Sequence, residues 1–191
     1  DTKTCELWRI IGFYYDEETN KYLTKIIRND YLDSHTFAEN NNIWDNSDIS
    51  KYLKEEYKLN NQNMLKEFTF KQENVLSLNT NINEIALLEK ENKAKVSLLN
   101  LSDYLYASTC KKDKINEYDV SCLKNNWLNR NISEWTMTTK FEKSYIDEET
   151  KEEIIPDNNT IYSVGSNIEE TNINDKLKFL CYIIFRKCHD K

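Results

Sequence analysis

Short apolar, aromatic-rich strings are scattered along this chain and separated by long polar stretches. That pattern constrains the fold more than any other feature. The strings are Leu7-Trp8-Arg9-Ile10-Ile11-Gly12 near the start, then Ser102-Asp103-Tyr104-Leu105-Tyr106-Ala107, Cys122-Leu123-Lys124-Asn125-Asn126-Trp127-Leu128 and Trp135-Thr136-Met137-Thr138. None is a catalytic motif; each reads as a strand or a buried aromatic anchor. Residues 7–14 form an apolar, β-branched strand, 16–20 a polar turn and 21–28 a returning strand, which makes an N-terminal hairpin. Ser47 is a helix N-cap, with Ile49, Tyr52, Leu53 and Tyr57 following at helical spacing over 47–58. Residues 61–68 read as a second short helix, 68–78 as a weakly alternating strand, and 85–91 as helix by propensity. Residues 95–99 read as a short strand, and Ser102 as the cap of one helical turn carrying Tyr104 and Tyr106. Further strands are expected over 135–141, over 160–164 ending at Gly165, and over the apolar run 177–186. A hairpin, then helices, then short strands with long loops is an α+β order, not the alternation of a parallel sheet.

No composition shift marks a linker and no internal repeat occurs, so residues 1–191 are expected to form a single globular domain. Twelve Tyr, seven Phe and four Trp argue against disorder despite the polar composition. A net charge of −7 with only four Arg excludes a phosphate-binding surface, hence no nucleic acid. There is no run of 18 apolar residues, so no direct membrane insertion by this chain is expected. The abrupt opening into a strand reads as the mature or excised part of something longer. The Asn-x-Ser/Thr pattern at Asn100, Asn131 and Asn158 carries no weight in so Asn-rich a chain. With two Gly and two His, phosphate-cradling glycine loops and a Ser-His-Asp arrangement lack their materials.

Cysteines stand at 5, 110, 122, 181 and 188, without a Cys-x-x-Cys pair, so a zinc site is poorly supported. Their spacing leaves two readings open: five reduced core thiols, or two disulfides and one spare thiol in an exported protein. Two Gly and one Pro mean that long loops must be held by other means, which favours disulfides. Cys110 and Cys122 bracket one polar loop and are expected to bridge.

In order along the chain, Trp8 to Gly12, Ile26 to Asp30, Ser102 to Ala107, Cys122 to Leu128 and Trp135 to Thr138 resemble the strings of an uncharacterised bacterial domain family with a C-type-lectin-like fold. The resemblance covers nearly the full chain. It departs at the end, where Leu177-Lys178-Phe179-Leu180-Cys181-Tyr182-Ile183 replaces the family's Arg-Pro signature. The resemblance implies an antiparallel sheet with paired N- and C-terminal strands, two helices and a long loop region. It also implies a non-enzymatic extracellular module displayed on a bacterial surface or pilus, often behind a type IV pilin-like helix. Its partner would be a protein or glycan at the cell surface, including other pilus subunits. With neighbouring terminal strands, Cys5 would meet Cys188, leaving Cys181 as a core residue; Cys5 with Cys181 is the alternative.

The same resemblance frames the candidate sites. Trp8, Trp44, Trp127 and Trp135 could form a sugar-stacking platform; core packing is the competing reading, with Trp44 the most open case. Calcium-dependent sugar binding is disfavoured, because Ile155-Pro156-Asp157 lacks the preceding carboxylate or amide of a lectin motif. Asp147, Glu148, Glu149, Glu152, Glu153 and Asp157 could hold a hard cation or be a solvated loop. No metal or cofactor is expected. The enzymatic alternative on this fold is a formylglycine-generating type with a reactive cysteine, for which Cys188 beside His189 is the candidate.

Overall fold

The computed structural model describes residues 7–16, 19–57, 65, 67–108, 110–118, 120–123, 131–140, 144–154, 156 and 158–185. In chain order the elements are β1 (Trp8–Asp16), β2 (Lys21–Arg28), α1 (Asp48–Glu55), β3 (Phe68–Asn74), β4 (Ala86–Ala94), β5 (Val96–Ser97), α2 (Leu101–Ala107), α3 (Val120–Leu123), β6 (Glu134–Lys140), β7 (Tyr145–Ile146), β8 (Glu153–Ile154), β9 (Thr160–Val164), β10 (Ile168–Asn172), β11 (Lys178–Phe179) and β12 (Tyr182–Phe185). The protein is α+β, with mostly antiparallel sheets, as expected from the order of its strings.

One sheet has the order β1-β2-β12-β5 and the other β10-β9-β6-β3-β4, with β11 pairing β6 beside it. A separate ribbon joins β7 to β8. β1 and β2 form the expected hairpin, in register from Trp8↔Arg28 to Asp16↔Lys21, with a bulge between Ile10 and Gly12. Asn20 turns the chain at φ 52°, a left-handed position that Asn tolerates. Ser47 caps α1 by accepting the Ser50 N–H through its hydroxyl.

The core has two clusters. One gathers Leu23, Ile27, Tyr104, Leu105, Tyr162 and Tyr182; the other gathers Phe37, Trp44, Ile49, Trp135, Met137 and Phe179. The chain from 179 to 183 serves both by alternation: Leu180 and Tyr182 enter the first, Phe179, Cys181 and Ile183 the second.

Four expectations are corrected. The terminal strands share a sheet but are not neighbours: β12 pairs β2, and β1 lies outside β2. The reason is burial. β2 carries the buried Leu23 and Ile27 and takes the interior place, whereas β1 exposes Ile10 and Phe13. The apolar run 177–186 is not one strand; β11 runs parallel to β6 in one sheet and β12 antiparallel to β2 in the other. Residues 85–91 are not helical. Pairing with β3 overrides their propensity, and their Glu- and Lys-rich faces suit the charged sheet edge that β4 forms. The N-cap of α2 is Asn100, not Ser102. The short helix expected over 61–68 lies largely outside the described residues, although Phe68 opens β3. β10 had no clear signal in the sequence.

Candidate functional site

The hairpin presents a face that packs on the second core cluster at Trp8 and Ile26 and is open towards the turn. Directly paired residues share a side of a sheet, so Ile10, Phe13 and Tyr15 lie with Ile26, Thr24 and Tyr22 on one side of the ribbon. Ile10 is 65% exposed, Phe13 70%, Tyr15 45% and Tyr22 73%. The rings of Tyr15 and Tyr22 meet across the strands at 5.1 Å, tilted by 58°, and the Tyr15 hydroxyl donates to the Asn20 side chain. These four side chains make an apolar strip on the order of 500 Å², within the range of the largest patch on an ordinary monomer, which is often functional.

The strip sits on an edge. Asn29 N–H donates to the Leu7 carbonyl and Arg28 N–H to the Cys181 carbonyl, which fixes the phase of the ladder. By alternation, Trp8, Ile10, Phe13 and Tyr15 turn their backbone groups away from β2. Among the described residues no strand lies on that side. The bulge at Ile10–Gly12 interrupts this edge, a device that limits indiscriminate pairing. The base of the hairpin is anchored: Lys25 Nζ bonds the Asp103 carboxylate of α2 at 2.6 Å and lies 4.3 Å from the centre of the Tyr182 ring.

A second feature is a pocket of about 240 Å³ where the chain passes from β4 to β5 beside α1. Leu53, Leu65, Ala94 and Val96 supply apolar lining, and Lys54, Glu67, Lys93 and Lys95 supply charge. Lys54 is held by Asp45 at 3.2 Å, and Asp45 also accepts Lys90 at 2.8 Å. Those two side-chain hydrogen bonds hold the Asp45 carboxyl below the usual range.

The sequence-derived candidates separate. Cys110 and Cys122 are bridged, with their Cα atoms 5.3 Å apart, and close the loop between α2 and α3. Cys181 is buried in the second core cluster. Cys5, Cys188 and His189 lie outside the described residues, as do Trp127 and Asp157. Trp44 and Trp135 are core residues, not a stacking platform, and Trp8 is half-buried against the same cluster. Trp44 is enclosed by Phe37 and Phe70, and Trp135 Nε1 donates to the His35 carbonyl. In the acidic stretch, Asp147 Oδ1 accepts Glu149 N–H, Thr150 N–H and the Thr150 hydroxyl, and so orders the turn of the β7–β8 ribbon. Those bonds, with the Thr150 N–H foremost, hold its carboxyl below the usual range. Among the described residues no group of three His, Cys, Asp or Glu converges as metal ligands. No helix among them is long and apolar enough to cross a membrane.

Sequence reasoning missed the hairpin strip because it treated the first string as buried. Alternating exposure could not be read from a strand whose residues are apolar on both faces; the aromatic pair flanking the turn, Tyr15 and Tyr22, was the available signal.

Buried polar groups form a second network around Glu73. Its Oε2 accepts the Ser102 N–H at 3.1 Å and the Thr138 hydroxyl at 2.9 Å, at the start of α2. Burial pushes the Glu73 carboxyl above the ordinary range, against the opposing hydrogen bonds from Ser102 and Thr138. Each oxygen contact joins one element to another, so this carboxylate is part of the frame.

Comparison of the chain with family models, with curated proteins and with solved structures returned no match.

Proposed function

We propose that this chain is a non-enzymatic binding or assembly module, displayed outside a bacterial cell on a C-type-lectin-like frame. The observation that carries the reading is the apolar strip of Ile10, Phe13, Tyr15 and Tyr22 on the hairpin. A fold that encloses Trp44 and Trp135 yet leaves these side chains in water has surplus apolar surface suited to a protein or glycan partner. Two further observations support it. The Cys110–Cys122 bridge suits an oxidising compartment. The hairpin is held from behind by Lys25 and Asp103, so the strip needs little ordering on binding. In a pilus-like assembly the partner would be a neighbouring subunit.

The test is labelling of intact cells that produce the protein with a membrane-impermeant amine reagent. The reading requires modification of exposed lysines such as Lys21 and Lys111 without cell lysis. If they are labelled only after lysis, the protein is not displayed and the reading fails.

A further inference from the structure

The pocket between α1 and the β4–β5 junction is rich in lysine although the chain as a whole is acidic. Three lysines, Lys54, Lys93 and Lys95, line it with a single carboxylate, Glu67. Lys54 already holds Asp45. Lys93 and Lys95 are exposed and have no ion-pair partner among the described residues. The other lining residues, Leu53, Leu65, Ala94 and Val96, are buried and apolar. In a chain of net charge −7, two uncommitted ammonium groups over an apolar floor are suited to a ligand with one anionic end and one apolar end. The volume, about 240 Å³, lies below the span of drug-sized sites and sets the scale at a short acyl or aryl group.

We propose that this pocket binds a small organic carboxylate with an apolar body, its charge met by Lys93 and Lys95 and its body resting on Leu53, Leu65 and Val96. The ammonium groups select for the anion; the floor selects against hydrated inorganic anions, which gain nothing from apolar contact. The site does not depend on the hairpin or on where the protein resides.

The experiment is titration of the purified full chain with hexanoate, followed by amide chemical shifts. Hexanamide serves as the neutral probe and hexylamine as the cationic one. The expected result is saturable shifts at Leu53, Leu65 and residues 93–96 with hexanoate, at least tenfold weaker binding of hexanamide, and none of hexylamine. The double variant K93Q/K95Q should weaken hexanoate at least tenfold and leave hexanamide within twofold. Both lysines are exposed, so the variant is expected to fold. Hexanamide binding as tightly as hexanoate, hexanoate binding unchanged in the variant, or no saturable shift at these residues would each overturn the proposal.

Discussion

Strands β6 and β1 are buried in the opposite order to their apolar content. β6 reads Glu-Trp-Thr-Met-Thr-Thr-Lys, mostly polar, yet residues 134–139 are all buried. β1 reads Trp-Arg-Ile-Ile-Gly-Phe-Tyr-Tyr-Asp, mostly apolar, yet Ile10, Phe13 and Tyr15 face water. Position in the sheet decides this. β6 is central, between β9 and β3, and its hydroxyls close bonds across elements: Thr136 to the Tyr162 carbonyl at 2.6 Å, and Thr138 to Glu73. A buried hydroxyl with a partner costs little, whereas one without a partner costs the full desolvation of the group. β1 is the edge strand of its four-stranded sheet, and Ile10, Phe13 and Tyr15 stay in water there. Burial in β6 holds the fold; exposure in β1 leaves apolar side chains in water.

The largest expected effect lies in the buried strand. Trp135→Ala removes a large core side chain and its bond to His35, and is expected to cost about 3–5 kcal/mol in urea unfolding. A loss under 1 kcal/mol would mean that β6 is not the packed centre. Replacing Cys110 and Cys122 by Ser opens the loop between α2 and α3 and is expected to cost about 2–4 kcal/mol, read by the same method with and without reductant. Thr138→Val keeps the shape but strands the Leu101 N–H, which now donates to the Thr138 hydroxyl at 2.7 Å, and removes a donor from Glu73; the expected cost is about 1–3 kcal/mol.

Glu73 gives a pH signature. Its folded pKa is raised by burial, so the folded state holds its proton more tightly than the unfolded chain does. Its contribution is therefore full in acid and declines as pH rises above the unfolded value of about 4. Glu73→Gln should lose that decline, so the stability of the variant relative to the parent should rise with pH across that range. A parallel pair of pH profiles would show that the carboxylate is not titrating in the fold. The smallest effect belongs to the exposed strand: Phe13→Ser with Tyr22→Ser should change stability by less than about 1 kcal/mol. A loss as large as that of Trp135→Ala would place the strip inside the core and remove the contrast.

Much of the frame was legible from local signals. The β1–β2 hairpin, the Ser47 cap of α1, β9 and the Cys110–Cys122 bridge each rest on chemistry contained in a few residues. What was not legible depended on partners far away in the chain. Residues 85–91 favour helix until β3 is beside them. The split at Leu180–Cys181 follows from two different sheets claiming the two halves of one apolar run. The order β1-β2-β12 could not be read from three apolar strands of similar character; only the burial of Leu23 and Ile27 marks β2 as the inner one. For the sites, the sequence leaves Trp44 open between core and surface because its neighbours are Asn-rich. Asn42 in that stretch is instead buried, donating to the Lys140 and Thr160 carbonyls at 2.9 and 3.0 Å. The exposed strip on β1 was masked by the same apolar character that makes it a candidate surface.

Hydroxyl-radical footprinting of the purified protein, compared with the same protein in place on the producing cell, tests the central claim most directly. Rapid oxidation of Phe13, Tyr15 and Tyr22 is expected in the purified chain and strong protection of the same residues in place, with Trp135 and Met137 protected in both states. Equal oxidation of Phe13, Tyr15 and Tyr22 in both states would contradict it.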